Sequence, residues 1–224
     1  MATSHDVEDG PGRPIRAVLF DIGGVLTTGP FDGFAHYERE SGLPDGLIRQ
    51  INSTDPDTNA WAKFERGEVD FAGFCDLFES EAAALGHVVD AKAVMASIRG
   101  LPRPEMVEAV SFCRKLFKTA ALTNNFVATG SERREDTPTI YDGLFDVVIE
   151  SSKVGVRKPD PRFYELACRA LDIEPTEAVF LDDLGINLKP ARQMGMRTIK
   201  VVTAEQALNE LYSTLGVAPE GWNE

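Results

Sequence analysis

The 224-residue chain predicts an α/β fold in which a doubly wound parallel sheet is interrupted by one inserted helical segment. Three observations predict it. Short, almost wholly apolar runs recur along the chain, helical patterns lie between most of them, and one long stretch near the N-terminus breaks the alternation. Apolar runs of this kind are typical of strands buried on both faces, as in a parallel sheet. Strand and helix in repetition therefore favour a Rossmann-like, doubly wound architecture.

Five apolar runs are the predicted strands. They cover residues 15–20, 118–122, 145–149, 178–181 and 197–202. Helical spacing of apolar residues predicts a helix from Glu105 to Phe117 and another from Pro161 to Leu171. Asp160 is a good N-cap for the second of these helices, because it precedes a proline at the first helical position.

The stretch from residue 28 to residue 102 is rich in helix formers and shows no clear buried strand. We interpret 28–102 as a helical insertion that covers one end of the sheet, and 15–27 with 103–224 as the core. Pro102 and Pro104 mark the return to the core. The aromatic residues of the insertion stand at helical spacing, which indicates packing more than a substrate pocket. They are Trp61, Phe64, Phe71, Phe74 and Phe78.

The composition disfavours several classes of partner. A net charge of -13 and a pI near 4.7 argue against nucleic acid and anionic membranes, whereas local cations and a metal can still bind a small anion. No run approaches the ~20 apolar residues of a membrane helix. Residues 1–14 predict a disordered tail rather than a signal peptide, and Cys75, Cys113 and Cys168 predict free buried thiols. We expect a cytoplasmic protein, either monomer or dimer.

Polar residues follow the predicted strands, where ligands bind in an open parallel sheet. Asp21 follows the first strand and can act as a covalent nucleophile, and Gly23 and Gly24 let the backbone approach a ligand. The alternative is an aspartate that merely ends a strand in a turn. Thr123 and Asn124 follow the second strand and suit a phosphoryl oxygen. The alternative there is a turn that uses asparagine for its left-handed geometry.

Two further positions carry charge. Lys158 lies in a loop stiffened by prolines, where an ammonium can neutralise a transferring phosphoryl group; the alternative is a solvated surface lysine. Asp182 and Asp183 follow the fourth strand, and adjacent carboxylates repel unless a cation or hydrogen bonds compensate. Oxygen ligands without His or Cys indicate Mg2+ rather than zinc. The alternative is an N-cap pair for the helix beginning near Gly185.

These positions, together with the segment VFLDDLGINLKPAR at residues 179–192, resemble the haloacid dehalogenase superfamily. In particular they resemble the phosphatase-like N-terminal domain of mammalian soluble epoxide hydrolase. The resemblance runs from about Arg16 to Leu215. It implies a hydrolase that acts on a small phosphorylated substrate through an aspartyl-phosphate at Asp21. It also implies that the insertion is a cap that closes over the site and selects the substrate.

The resemblance also implies a role for each residue at the strand ends. The roles are catalysis by Asp21 and Lys158, substrate binding by Thr123, Asn124 and Gly24, and Mg2+ binding by Asp21, Gly23 and Asp183 with Asp182 in support.

The chain departs from the superfamily pattern at Gly23. Phosphatases of this superfamily usually carry a second aspartate there, which protonates the leaving alkoxide and then activates water. Loss of a general acid/base is expected to lower the rate on the order of 10²–10⁴-fold. Three hypotheses stay open: a Mg2+-dependent phosphatase, a Mg2+- and phosphate-binding regulatory domain, and a metal-independent dehalogenase. The pair Asp182 and Asp183 argues against the last.

Overall fold

The computed structural model describes residues 14–98, 100–126 and 143–222, so residues 1–13 of the predicted tail lie outside the described part. Its strands are β1 Ala17–Phe20, β2 Lys118–Thr123, β3 Val147–Glu150, β4 Ala178–Asp182 and β5 Arg197–Lys200. They form one sheet in the order β3-β2-β1-β4-β5, and every pair of neighbours is parallel. The predicted fold class is confirmed, because each predicted strand is present within one or two residues.

Ten helices are described: α1 Phe31–Glu40, α2 Leu47–Ser53, α3 Ala60–Glu65, α4 Phe71–Ala84, α5 Ala91–Ser97, α6 Pro104–Cys113, α7 Ser151–Val154, α8 Pro161–Leu171, α9 Gly185–Gln193 and α10 Ala204–Leu215. α8 has the predicted bounds, and the Asp160 side chain accepts a hydrogen bond from the Arg162 N–H at 2.9 Å. The predicted helix from Glu105 to Phe117 corresponds to α6, and the prediction that it reaches Phe117 was wrong. α6 ends at Cys113 because residues 114–117 form the turn into β2.

The central strand β1 packs helices on both faces. Val18 and Phe20 belong to one apolar cluster, whereas Ala17 and Leu19 point into a second cluster on the opposite face. All four side chains are fully buried. The first cluster contains residues of α6 and α10, and the second contains residues of α8 and α9. An apolar run without alternation is therefore the expected sequence for β1.

The helices α1–α5, here called the insertion helices, surround an apolar cluster of their own. Its rings pack directly on one another: Phe64 stacks on Phe74 at 4.6 Å between centroids, and Trp61 meets Phe74 edge-on at 5.6 Å. Packing is thus the role of these aromatic side chains in the structure. The two chain connections to the core run side by side, since Thr28 N–H donates to the Leu101 carbonyl at 2.8 Å.

Two further predictions concern the cysteines and membrane-spanning helices. Cys75, Cys113 and Cys168 are free and buried, as predicted. Within the described part of the chain, no helix combines the length and the apolar character needed to cross a bilayer.

The strand order fixes where a ligand site can form. β1 lies between β2 and β4, so the chain turns from one half of the sheet to the other at this strand. A crevice opens at the carboxyl ends of the strands at such a switch point. In the register of the sheet, Phe20 lies opposite Ala121 on one side and Leu181 on the other. Residues that follow β1, β2 and β4 therefore meet at one edge.

Candidate active site

A buried lysine joins two carboxylates at this edge. Asp21 directly follows β1, Asp182 is the last residue of β4, and Lys158 lies in the loop between α7 and α8. The Nζ atom of Lys158 lies 2.8 Å from Asp21 Oδ1 and 2.8 Å from Asp182 Oδ2. The Lys158 side chain is 1% exposed, so the alternative of a solvated surface lysine is wrong.

Asp182 is held by donors on every side. Its Oδ1 accepts hydrogen bonds from the Leu184 N–H at 2.8 Å and from Asn187 Nδ2 at 3.0 Å, and Asn187 Nδ2 also lies 3.1 Å from Oδ2. The residue has no exposed surface. The alternative of an N-cap pair is also wrong, because the N-cap of α9 is Leu184 and no side chain caps that helix. Asp182 is an ionic and hydrogen-bonding centre of the site.

Asp183 completes a group of three carboxylates. One oxygen of Asp183, one of Asp21 and one of Asp182 all lie within 4.8 Å of each other. Gly24 packs against Asp183 so closely that a Cβ on Gly24 would lie 2.3 Å from Asp183 Oδ2. The φ of Gly24 is +79°, a left-handed conformation that favours glycine. At Gly23, by contrast, an added Cβ would meet no atom within 4 Å.

The charges in this group do not balance. Burial raises the pKa of Asp21 well above its ordinary value, with Lys158 opposing the rise and Asp182 and Asp183 adding to it. Burial, together with Asp182, raises the pKa of Asp183 to about 6. Burial alone would lower the pKa of Lys158, but Asp182 and Asp21 more than compensate and raise it. The Lys158 ammonium and the Arg103 guanidinium, which opposes the rise at Asp183, leave the three carboxylates in excess, and a divalent cation that prefers oxygen ligands suits the remaining negative charge.

The residues that follow β2 lie beside the lysine loop. Thr123 ends β2 and is buried. The side chain of Asn124 holds the backbone of Lys158: its Oδ1 accepts from the Lys158 N–H at 2.9 Å, and its Nδ2 donates to the Lys158 carbonyl at 3.1 Å. The structure therefore brings Asn124 into the site, with an additional contact to Lys158 that sequence analysis did not foresee.

Glu65 and Arg157, which form an ion pair near the site, carry no signal in the sequence that marks them as site residues. Glu65, the last residue of α3, is buried; its Oε1 accepts from Trp61 Nε1 at 2.9 Å, and its Oε2 pairs with Arg157 Nη1 at 3.1 Å. Burial raises the pKa of Glu65, and Arg157, Trp61, Lys158 and Asn124 partly offset this. No local pattern marks Glu65, because it is one acidic residue in a helix of an acidic chain.

The family model of haloacid dehalogenase-like hydrolases matches residues 15–195. Among curated proteins, the chain is 37% identical over 211 residues to acyl-CoA dehydrogenase family member 10 of Mus musculus and 32% identical over 220 residues to bifunctional epoxide hydrolase 2 of Sus scrofa. It is 33% identical over 220 residues to phosphatase MT3486 of Mycobacterium tuberculosis.

These relatives differ in length. The alignments cover 92%, 91% and 92% of this chain, but 20%, 39% and 98% of the three relatives in the same order. The chain thus spans a fifth and about two fifths of the first two, and nearly all of the mycobacterial phosphatase. The resemblance to haloacid dehalogenase phosphatases and to soluble epoxide hydrolase is confirmed.

The fold also matches solved structures. One is a haloacid dehalogenase family enzyme from Bacteroides thetaiotaomicron, in complex with magnesium and inorganic phosphate. It has a TM-score of 0.63 and 20% sequence identity, and the match covers 88% of this chain and 99% of that enzyme. At this identity the match supports the fold.

Proposed function

This chain belongs to the family of haloacid dehalogenase-like hydrolases, and from that premise we propose that it is a Mg2+-dependent phosphatase of small phosphate esters. One observation carries the proposal: the buried Nζ of Lys158 joins Asp21 to Asp182, while Asp183 completes a carboxylate group with excess negative charge. Burial of three carboxylates with one ammonium is unfavourable in free energy unless a ligand compensates the excess negative charge.

The geometry suggests which atom of Asp21 attacks. Both contacts described for its carboxylate, the Lys158 ammonium and the Ile22 N–H at 2.7 Å, are made to Oδ1. We assign the attack on phosphorus to Oδ2. The bond from phosphorus to the leaving alkoxide then breaks, and an aspartyl-phosphate forms. Water next attacks the phosphorus and the bond between phosphorus and Asp21 Oδ2 breaks, which releases inorganic phosphate and restores the Asp21 carboxylate; the proton lost by water passes to solvent.

The other residues support the transferred group. The Lys158 ammonium balances the charge of Asp21 and of the phosphoryl oxygens. Thr123 at the end of β2, the backbone of Asn124 directly after it and the Gly24 backbone bind the phosphoryl group, since the Asn124 side chain is already bonded to Lys158. The insertion, residues 28–102, acts as the cap.

The donor set fits Mg2+. Asp21, Asp183 and the Gly23 carbonyl would hold the ion, and Asp182, whose oxygens are already bonded to Lys158 and Asn187, would support them. When bound, the ion would withdraw charge from the phosphoryl oxygens. The His-free and Cys-free carboxylate group is what favours a hard cation here.

Gly23 shapes the substrate class. With no carboxyl group at this position, the site lacks the usual acid for a poorly leaving alkoxide and the usual base for water. We therefore expect esters with good leaving groups, such as aryl phosphates, to react best. Phosphatase MT3486, which this chain matches over nearly its whole length, supports a small phosphate ester as the substrate.

The test is release of inorganic phosphate from a panel of aryl and alkyl phosphates, with and without Mg2+. Release that needs Mg2+ and disappears in Asp21→Asn is the expected result. Equal release by wild type and Asp21→Asn would refute the assignment of the nucleophile.

Gly23 also favours a second candidate, a regulatory domain that binds Mg2+ and phosphate without turnover. Calorimetry showing that both bind, with no phosphate release across the panel, would favour this candidate. Activity on a 2-haloacid that survives EDTA would instead favour a dehalogenase.

A further inference from the structure

Glu65 is a buried acid in a place that disfavours its charge. It is the last residue of α3, where the carbonyl end of the helix already carries partial negative charge, and its side chain is 11% exposed. Burial of an ionised carboxylate is unfavourable unless it is paired. Its partners are the Trp61 N–H within α3 and, in the core, the guanidinium of Arg157 and the side-chain amide of Asn124. The pair with Arg157 therefore links the insertion helices to the loop that carries Lys158.

Arg157 connects this carboxylate to the peptide of the lysine. Its Nη1 faces Glu65, and its Nε donates to the Lys158 carbonyl at 3.1 Å. The same carbonyl accepts from Asn124 Nδ2, and Asn124 Oδ1 accepts from the Lys158 N–H. The backbone N–H and the backbone carbonyl of Lys158 are thus both hydrogen-bonded. The backbone fixed in this way holds Nζ between Asp21 and Asp182.

A close backbone contact stands beside this ion pair. Gly67, two residues after Glu65, has a φ of +69°, and a Cβ added there would lie 2.8 Å from the carbonyl oxygen of Ser152 in α7. The end of α3 therefore packs against the core without space for a side chain. Since the ion pair and the contact lie in the same junction, Glu65 is held at a defined position relative to the lysine loop.

We propose that Glu65 is a positioning residue for Lys158: it fixes the Arg157 guanidinium, which with Asn124 holds the Lys158 peptide and so sets the place of the ammonium. The effect on turnover rests on the proposed phosphatase function. The effect on the loop does not. Without the carboxylate, the partly exposed Arg157 is free to turn toward solvent, and the Lys158 carbonyl loses one of its two donors.

The first measurement follows the loop directly, without metal or substrate. Hydrogen exchange of the Lys158 amide is compared by NMR in wild type, Glu65→Gln and Glu81→Gln. Glutamine keeps an acceptor for Trp61 but removes the charge that holds Arg157. Glu81 is the matched control: it is a carboxylate of the same insertion that accepts from the Ala60 N–H at 2.7 Å, at the opposite end of α3.

The expected result is exchange of the Lys158 amide that is roughly ten-fold faster in Glu65→Gln and unchanged in Glu81→Gln. Unchanged exchange in a folded Glu65→Gln overturns the proposal. So does an equal increase in Glu81→Gln, because it would indicate general loosening of the insertion. If Glu65→Gln does not fold, Arg157→Gln tests the same link from the other partner, with the same expected and overturning results.

The second measurement is steady-state turnover. In Glu65→Gln we expect kcat to fall roughly 10- to 100-fold with little change in KM, since a misplaced charge impairs the chemical step more than substrate binding. The double variant Glu65→Gln/Arg157→Gln should be no slower than Arg157→Gln alone, because linked residues are not additive. Full kcat in Glu65→Gln would contradict the role in turnover. Absence of phosphate release in wild type would count against the phosphatase and leave the exchange experiment intact.

Discussion

The two sides of Asp21 differ in how completely they are built. On the side of Asp182, a fully buried carboxylate accepts from Lys158, Asn187 and the Leu184 N–H. On the side of Gly23, an added Cβ would meet no atom within 4 Å. On the Asp182 side, here called the built side, tertiary contacts hold the charged groups in place. On the Gly23 side, here called the open side, there is space where the superfamily usually has its acid/base group.

This difference separates two parts of the proposed reaction. Preorganised charges contribute to transfer of the phosphoryl group to Asp21, whereas proton transfer needs a titratable group in reach of the leaving oxygen or of water. We therefore expect capture of a phosphoryl group from a good leaving group to be efficient, and hydrolysis of the aspartyl-phosphate to be slow.

The largest effect is expected from Lys158→Met on the built side. Removal of the ammonium leaves Asp21 and Asp182 without their cation. Loss of one partner of a buried ion pair lowers the free energy of unfolding by about 3 kcal/mol. Denaturant unfolding and phosphate release, the latter expected to fall roughly 10³-fold, check this. Lys153→Met, a change at an exposed lysine nearby, should leave both unchanged, and equal effects of the two variants would show that Lys158 has no special place.

A smaller effect, of opposite sign, is expected on the open side. Gly23→Asp should raise turnover of alkyl phosphates roughly 10- to 100-fold, because the added carboxyl group supplies the missing acid/base function and its Cβ would meet no atom within 4 Å. Gly23→Asn has nearly the same shape without that function and is the control. If asparagine raises the rate as much as aspartate, proton transfer is not what the wild type lacks.

The smallest effects are expected from alanine substitutions at the two adjacent glycines, Gly23 and Gly24, which we compare for stability. Gly24→Ala should lower the free energy of unfolding by about 1–2 kcal/mol, because alanine is strained at positive φ and its Cβ would displace the Asp183 carboxylate. It should also weaken Mg2+ binding. Gly23→Ala should change stability by less than about 0.5 kcal/mol. Thermal or denaturant unfolding and Mg2+ calorimetry measure both, and similar losses in the two variants would contradict the contrast.

The elements of the fold and the site residues that could be predicted from the sequence are those determined by neighbouring residues in the chain. β1 was predictable because four consecutive apolar residues are buried on alternating faces, and α8 was predictable because Asp160 and Pro161 begin it. The convergence of Asp21 and Asp182 followed from the rule that parallel strands end at the same edge.

Other features needed the structure because they depend on contacts between distant segments. The residues next to Asp182 in the chain do not indicate that Asp182, rather than Asp183, forms the ion pair with Lys158. Glu65 and Arg157 stand 92 positions apart and meet only because α3 packs on α7. The end of α6 was misjudged because the apolar spacing continues through the turn that follows it.

The most direct test is whether Asp21 carries the phosphoryl group during turnover. The protein is mixed with an aryl phosphate and Mg2+, quenched in acid within the first turnovers, and analysed by mass spectrometry of the peptide that contains Asp21. We predict a phosphorylated Asp21 that accumulates in wild type with a burst of the phenol, and that is less abundant in Gly23→Asp because water is then activated. Steady release of phosphate with no phosphoryl group on Asp21, or with the group on another residue, would contradict the account.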